Sequence, residues 1–493
     1  MSGVGAEIVG IRGIRIVGGE RDFLPEDEPV DIHIADGVIV DIAPTGALPL
    51  RGEVLDAEGA WAVPGLWDHH VHTVQWALSA QRVPLGDVST AREAAERMSE
   101  AEILPDGRRV GSGFRDALWP DAPTREMLDA VTGEIPTYLI NADVHSVWLN
   151  TAALRREGFE APADGVLREA DAFEISRRLN AVDPAYADIA VRAAAERAAA
   201  RGITGLVDFD MAWNAEAWAR RAAAGLDVHR VEFAVYPPQL EQAIAAGLRT
   251  GELLEGAGGL IRFGSLKVIT DGSLGTRTAA CSHPYPDDPA NTGVLTVAPD
   301  ELTRLLLRAT GAGIGAAVHA IGDRAVTAAL DAFAITGAFG TIEHAQLMRH
   351  ADIARMAHLG LAASVQPQHA IDDRDLVSQY WAGQTAIAYP QESLRAAGVE
   401  LRLGSDAPVA PLDPWTAIAA AVLRTDDGRE PWQPQERLSV DDALAASVRS
   451  ELSPGQAADI VVCAENPRRA DAATLRAMPV QATLLAGRLT HRA

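Results

Sequence analysis

The stretch "AWAVPGLWDHHVH" (60–72) is an apolar run that ends in a cluster of histidines. Side chains alternate along a strand, so His70 and His72, two residues apart, point to the same side. Asp68 shares that side, whereas His69 points the other way and reads as structural. Further apolar, strand-like runs follow. They are "GITGLVDFD" (202–210), "VHRVEFAVYP" (228–237), "LIRFGSLKVITDG" (260–272) and "GIGAAVHAIGD" (313–323), then "GTIEHAQL" (340–347), "GLAASVQPQHA" (360–370) and "VELRLGSDAPV" (399–409). Segments of helical period, such as "PDELTRLLLRATGAG", separate them. Eight strands alternating with helices predict an α/β fold, a (β/α)8 TIM barrel. Polar titratable residues close several of these runs: His70 and His72, Lys267, His319, His344 and Asp406. A barrel gathers the C-terminal ends of its strands on one face, where active sites of this architecture lie.

The two ends of the chain have another pattern. "VDIHIADGVIVDIAP" and "AADIVVCAENP" alternate apolar and polar positions, as half-exposed antiparallel strands do. They predict a small β-sandwich domain composed of 1–60 and 446–493, beside a barrel at 61–445. The long interval at about 77–200, after the first barrel strand, reads as an insertion. It contains a strand-like piece of its own, "EIPTYLINADVHSVWLN" (134–150).

Composition narrows the partners. A net charge of −25 excludes nucleic acid and an anionic membrane surface, both of which require a basic face. Two cysteines, Cys281 and Cys463, make no disulfide framework and lack metal-site spacing. With no secretory leader pattern and no apolar run near the ~20 residues of a membrane span, a cytoplasmic location is expected.

Lys267 is the single lysine of the chain; the other 42 of its 43 Lys and Arg residues are arginine. Arginine replaces lysine at exposed positions, but it cannot become a neutral amine near neutral pH. A lone lysine at a strand end is therefore a candidate for amine chemistry: a Schiff base, a general base, or a carbamate formed with CO2. A carbamate would supply two oxygens and a negative charge between two cations.

Taken singly, His319 and His344 read as satisfied core or rim histidines, and Asp406 as a turn cap. Four histidines, an aspartate and the only lysine at the strand ends of one barrel point instead to a metal centre. Histidine and carboxylate ligands suit Zn2+ or a similar divalent ion.

Several motifs carry a family resemblance. "PGLWDHHVH" resembles the P-G-x-x-D-x-H-x-H signature of the amidohydrolase superfamily. "VGSGFRDALWPDAPTREMLDAV", "DVHSVWLNTAAL", "LKVITDGSLGTRTAA", "VHAIGDRAV", "TIEHAQL", "SVQPQHAIDD", "LGSDAPVAPLDP" and "GQAADIVV" follow in order along the chain. As a set they resemble amidohydrolase family 3, the YtcJ-like and N-substituted formamide deformylase-like metal-dependent hydrolases. The resemblance implies two Zn2+ ions, or other divalent ions, per chain. His70 and His72 would bind the more buried ion and His319 and His344 the second. Asp406 would touch the buried ion and act as general base and acid. Lys267 falls where many superfamily members carry a carboxylated lysine between two metals, although another acid could bridge, or none.

The implied chemistry is hydrolysis of a C–N bond in an amide, N-acyl or N-formyl amine by a metal-activated water. A cyclic amide or a heterocyclic amine is the alternative substrate. His145 is assigned as a catalytic oxyanion or substrate contact. Asp271, Arg277, His369, Trp76 and Trp148 are assigned to the substrate, with Arg277 either a carboxylate anchor or a structural clamp. The expected partner is a small molecule and the expected assembly a homodimer. Two readings lie outside this class. An aldolase-like Schiff base on Lys267 leaves the histidines unexplained, and a metal-stabilised binding or regulatory protein would keep the barrel without catalysis.

Overall fold

The structure, a computed structural model, describes residues 3–18, 27–47, 49–80, 82–104, 106–160, 162, 164–286 and 288–493. Eight parallel strands form the predicted barrel: β1 (Leu66–Val71), β2 (Ile203–Asp208), β3 (Arg230–Val235), β4 (Ile261–Ile269), β5 (Gly315–Ala320), β6 (Gly340–His344), β7 (Ala362–Val365) and β8 (Leu401–Leu403). Each pairs with its neighbour in sequence, from β1 through to β8. Inside, Trp67, Val207, Phe209, Ala234 and Ala317 pack as one buried cluster. The Arg449 guanidinium stacks 4.1 Å from the Trp67 ring on one side. At the other end the Phe209 ring supports His70 at 4.4 Å and the Lys267 Nζ at 4.1 Å.

The barrel closes between β1 and β8 through the loop that follows β8. Asp406 N–H donates to His70 O at 2.7 Å, and His72 N–H donates to Ala407 O at 2.9 Å. His69 Nδ1 lies 2.9 Å from Leu403 O, the structural role expected of a histidine facing away from the pair. The Asp68 carboxylate holds backbone rather than an imidazole, accepting from His70 N–H at 3.1 Å and Ser405 N–H at 2.9 Å. Gly404 permits this seam. A Cβ there would lie 2.7 Å from His70 N and 3.0 Å from His70 Cβ.

The stretch 60–72 is two strands rather than one, divided at Gly65. Its first part, Trp61–Pro64, pairs antiparallel with Ile460–Cys463 and parallel with the end of Gly10–Ile16. It belongs to an eight-stranded mixed sheet made from both ends of the chain, with Val30–Ala35, Val38–Pro44, Val480–Leu485 and Arg488–Arg492 among its strands. Gly10–Ile16 joins the two halves of this sheet, and they bury a common cluster that includes Ile11, Ile14, Ile32, Ile39, Ile460 and Leu484. Residues 19–26 of the expected N-terminal segment lie outside the described residues.

Between β1 and β2 the chain forms a five-stranded sheet and several helices. The run at 134–150 is a hairpin, Thr137–Asn141 with Ser146–Leu149, and its turn places Val144 at φ +56°. Helix Ala170–Asn180 then runs alongside the barrel mouth, presenting Phe173, Ser176, Arg177 and Asn180 to the cavity described below. That i, i+3, i+4, i+7 spacing is one face of a helix. Among the described residues no helix is long and apolar enough to cross a membrane.

Two stability predictions follow from this packing. Gly404→Ala should lower the melting temperature and cost about 1–3 kcal/mol, because the added methyl meets backbone that cannot move aside; chemical denaturation measures it. His229 is buried behind β2, with its Nε2 unpaired, and burial pushes its imidazole down to about 4. Its folded pKa lies below the unfolded value, so its contribution is whole above about pH 6.5 and declines as pH falls toward 4, by about 3 kcal/mol in all. Replacing it in His229→Leu should flatten the acid limb of a stability-versus-pH curve relative to wild type.

Candidate metal centre

Residues from β1, β4, β5, β6 and the loop after β8 converge at the mouth of the barrel. His70 Nε2 lies 3.6 Å and His72 Nε2 3.3 Å from Asp406 Oδ1. The His344 ring lies 4.9 Å from that of His70 and 4.6 Å from that of His319, centre to centre. All five side chains are at least nine-tenths buried. His70, His72 and Asp406 form one group able to hold a metal ion; His344, His369 and Asp406 form another. His319 stands beside the second group without belonging to it.

The hydrogen bonds of the imidazoles decide which nitrogens remain for a ligand. His70 Nδ1 lies 2.6 Å from Glu343 Oε2, so that nitrogen carries the proton and Nε2 keeps a lone pair toward the site. His344 Nδ1 is fixed likewise by Gln366 Oε1 at 2.8 Å. His319 is the reverse: Nε2 lies 3.3 Å from Gly272 O, leaving Nδ1. His72 Nδ1 and His369 Nε2 are buried without a hydrogen-bond partner. Buried polar atoms are normally satisfied, so these orphans, with three imidazoles that each keep one nitrogen toward the site and a carboxylate, fit a divalent cation.

Electrostatics agree with that donor set. Burial, with the Lys267 charge next in size, pushes His70 down to about 4. Burial holds His344 well below the ordinary histidine value. Burial works against the Asp406 carboxylate, but His70, His72 and His344 outweigh it and keep the group ionised. Lys267 is 2% exposed, and burial pushes its amine down to about 8 against the pull of Glu343 and Asp406. Its Nζ lies 3.1 Å from His70 Nε2, directly at the first group.

Two local backbone features make the convergence possible. In "TIEH" a regular strand would point Glu343 and His344 to opposite sides. His344 instead takes φ +74° and Ala345 +44°, so both side chains reach the site. Asp406 also sits in the left-handed region, at φ +57°. Non-glycine residues there cost energy and cluster at functional sites.

The site opens into a cavity of about 470 Å3, within the usual range for small-molecule pockets. His145 lines it, brought by the hairpin turn of the insertion. Burial disfavours its charge, but Glu169, 2.9 Å from Nδ1, outweighs burial together with Asp143 and Asp271 and raises His145 to about 9. Glu169 is in turn held by Thr278, and Asp143 by Ser273 Oγ at 2.6 Å, so the insertion is laced to the loop after Lys267. His369 also lines the cavity.

Four sequence assignments to the substrate need correction. Trp148 is fully buried in the core of the insertion sheet, its indole donating to Thr124 O at 3.2 Å. Trp76 packs against the barrel's main core, away from the cavity. Asp271 is a backbone clamp: its carboxylate accepts from the N–H groups of Ala280, Ile321 and Gly322 at 2.9–3.0 Å. Arg277 lies over the Tyr380 ring at 5.7 Å and does not line the cavity. Glu343 and Gln366 went unassigned by sequence reasoning; the only signal for Glu343 was a carboxylate one residue before a strand-end histidine.

Comparison with known proteins bears on this geometry. The putative amidohydrolase YtcJ of Bacillus subtilis is 26% identical over 521 residues, covering 94% of this chain and 96% of its own. The N-substituted formamide deformylase of Arthrobacter pascens is 26% identical over 504 residues, covering 90% and 91%. A crystal structure of an uncharacterized metal-dependent hydrolase from Pyrococcus horikoshii superposes with a TM-score of 0.78 at 24% identity, over 94% of this chain and 99% of that one. The amidohydrolase family model matches residues 53–491. The family resemblance of the ordered motifs is thereby borne out, and the chain belongs to the amidohydrolase family.

Proposed function

We propose that this chain is a metal-dependent hydrolase that cleaves a C–N bond in a small amide, an N-acyl amine or an N-formyl amine. The observation that carries the reading is the tautomer pattern. His70, His319 and His344 each commit one ring nitrogen to a protein acceptor and keep the other for the site, around a carboxylate that stays ionised. The relative named as a formamide deformylase supports C–N cleavage as the reaction.

His70, His72 and Asp406 would hold one Zn2+ or similar ion. His319 and His344 would hold a second, with His369 close enough to share it. Such ions supply Lewis acidity toward a carbonyl oxygen and bring a water within reach of deprotonation near neutral pH. Asp406 Oδ1 faces His70 and His72, which leaves Oδ2 to accept the proton of the attacking water and return it to the departing nitrogen. His145, charged at neutral pH with Nδ1 bound to Glu169, offers its Nε2–H to negative charge on the substrate carbonyl oxygen. The Lys267 amine, brought by burial to about 8, has a neutral fraction at neutral pH that could take up CO2 with loss of a proton, and the resulting carbamate would supply an anionic oxygen donor to the ions that His70, His72, His319, His344 and Asp406 would hold.

Three experiments test these roles. Native mass spectrometry with metal analysis should find two metal ions and the added mass of one CO2 per chain; an unmodified Lys267 with one ion would end the bridging assignment. Lys267→Arg should lose activity, since a guanidinium forms no such carbamate. Asp406→Asn should lower kcat by about 10^2- to 10^4-fold on any N-acyl or N-formyl amine that wild type hydrolyses, and full retention would remove Asp406 from proton transfer.

A further inference from the structure

We infer that the two metal subsites differ in affinity because their histidines are backed by different chemistry: the Glu343 carboxylate behind His70 makes the His70–His72–Asp406 subsite the tight one, while the subsite served by His319 and His344 exchanges its ion. The inference rests on the two-ion reading above and concerns residues that reading leaves without a role.

Glu343 is 1% exposed and spends both carboxylate oxygens inside the barrel. Oε2 takes the His70 Nδ1–H at 2.6 Å, and Oε1 accepts from the Thr341 hydroxyl. Thr341 and Glu343 are two residues apart on β6 and so share its inward side. The corresponding acceptor for His344 is a neutral amide oxygen, Gln366 Oε1, at 2.8 Å. His319 Nε2 lies 3.3 Å from the Gly272 carbonyl oxygen and 3.4 Å from Asp271 Oδ1, a carboxylate that already accepts from three backbone N–H groups. An anionic acceptor draws the Nδ1 proton and raises electron density at the opposite nitrogen, so the imidazole becomes a stronger donor to a cation. A neutral acceptor orients the ring with less of that effect. The buried negative charge of Glu343 also adds to that of Asp406 near the first subsite. At the second subsite His344 has a neutral acceptor, and the carboxylate near His319, Asp271, has both oxygens already engaged by backbone N–H groups, so neither imidazole there has a short charged hydrogen bond like that of His70. Glu343 is thus a positioning residue that acts through His70.

The test is a Zn2+ titration of the full-length protein after chelator treatment, read by calorimetry and by metal analysis after equilibrium dialysis. Wild type should bind two ions in two classes. Glu343→Gln, which keeps the shape and an acceptor oxygen, should weaken the tight class by about 10- to 100-fold and leave the weak class in place. Gln366→Glu should tighten the weak class. Glu343→Asp, which keeps the charge but draws it back from His70 Nδ1, should weaken the tight class by less than Glu343→Gln, and it serves if Glu343→Gln folds poorly. Two ions of equal affinity in wild type, or a tight class unchanged within twofold in Glu343→Gln, would overturn the inference while leaving the metal reading intact. If the protein takes up no Zn2+, the metal reading itself falls.

Discussion

His70 stands on the first barrel strand, His72 directly after it and Asp406 in the loop after the last, and the hydrogen bonds that close the barrel bring both histidines within 3.6 Å of the aspartate. Two backbone bonds, Asp406 N–H to His70 O and His72 N–H to Ala407 O, involve these residues directly. Asp68 and His69 tie the same two segments from either side of β1. The metal-type cluster is thus a property of closure. A sheet of the same strands left open at this seam would hold the histidines and the aspartate at opposite edges. The seam is also where the barrel is least able to absorb change, since β8 is only three residues long and Gly404 has no room for a side chain.

Around the seam the protein arranges polar groups that would be costly if left alone. The Asp406 and Glu343 carboxylates, the Lys267 amine and five buried imidazoles gather at one end of the barrel, beside the cluster of Trp67, Phe209 and small apolar residues. Desolvation drives His70, His344 and the Lys267 amine toward their neutral forms, the state in which each has a lone pair to give. The insertion adds a contrasting group: His145, held charged by Glu169, with its ring 5.7 Å from that of His319.

The architecture was legible because periodicity and alternation report on it directly. Eight apolar runs separated by helical segments became eight parallel strands, and the polar residues at their ends met on one face. Lys267 stood out through composition alone. What the sequence concealed depended on backbone turns that alternation does not foresee. Glu343 precedes His344, and a regular strand can aim only one of them inward; the positive φ of His344 admits both. Gln366 sits ahead of a proline in "VQPQHA" and looks like loop punctuation until its amide is seen against His344. The tryptophans misled because proximity in sequence to a motif is not proximity to a cavity: Trp148 lies in the hairpin that delivers His145, yet faces that hairpin's own core.

The division of residues 60–72 at Gly65 has a consequence for how the protein is made. Trp61–Pro64 is locked in the terminal sheet by Ile460–Cys463, and the chain passes from there straight into the strand that carries His70 and His72. The anchor of the earliest-synthesised part of the cluster is therefore translated after all eight barrel strands. Contacts of such long sequence separation form late, since loop closure must precede them. Trp61–Pro64, made before the barrel, thus gains its antiparallel neighbour only from a segment made after it, and the strand that opens the barrel is tied at its start to both.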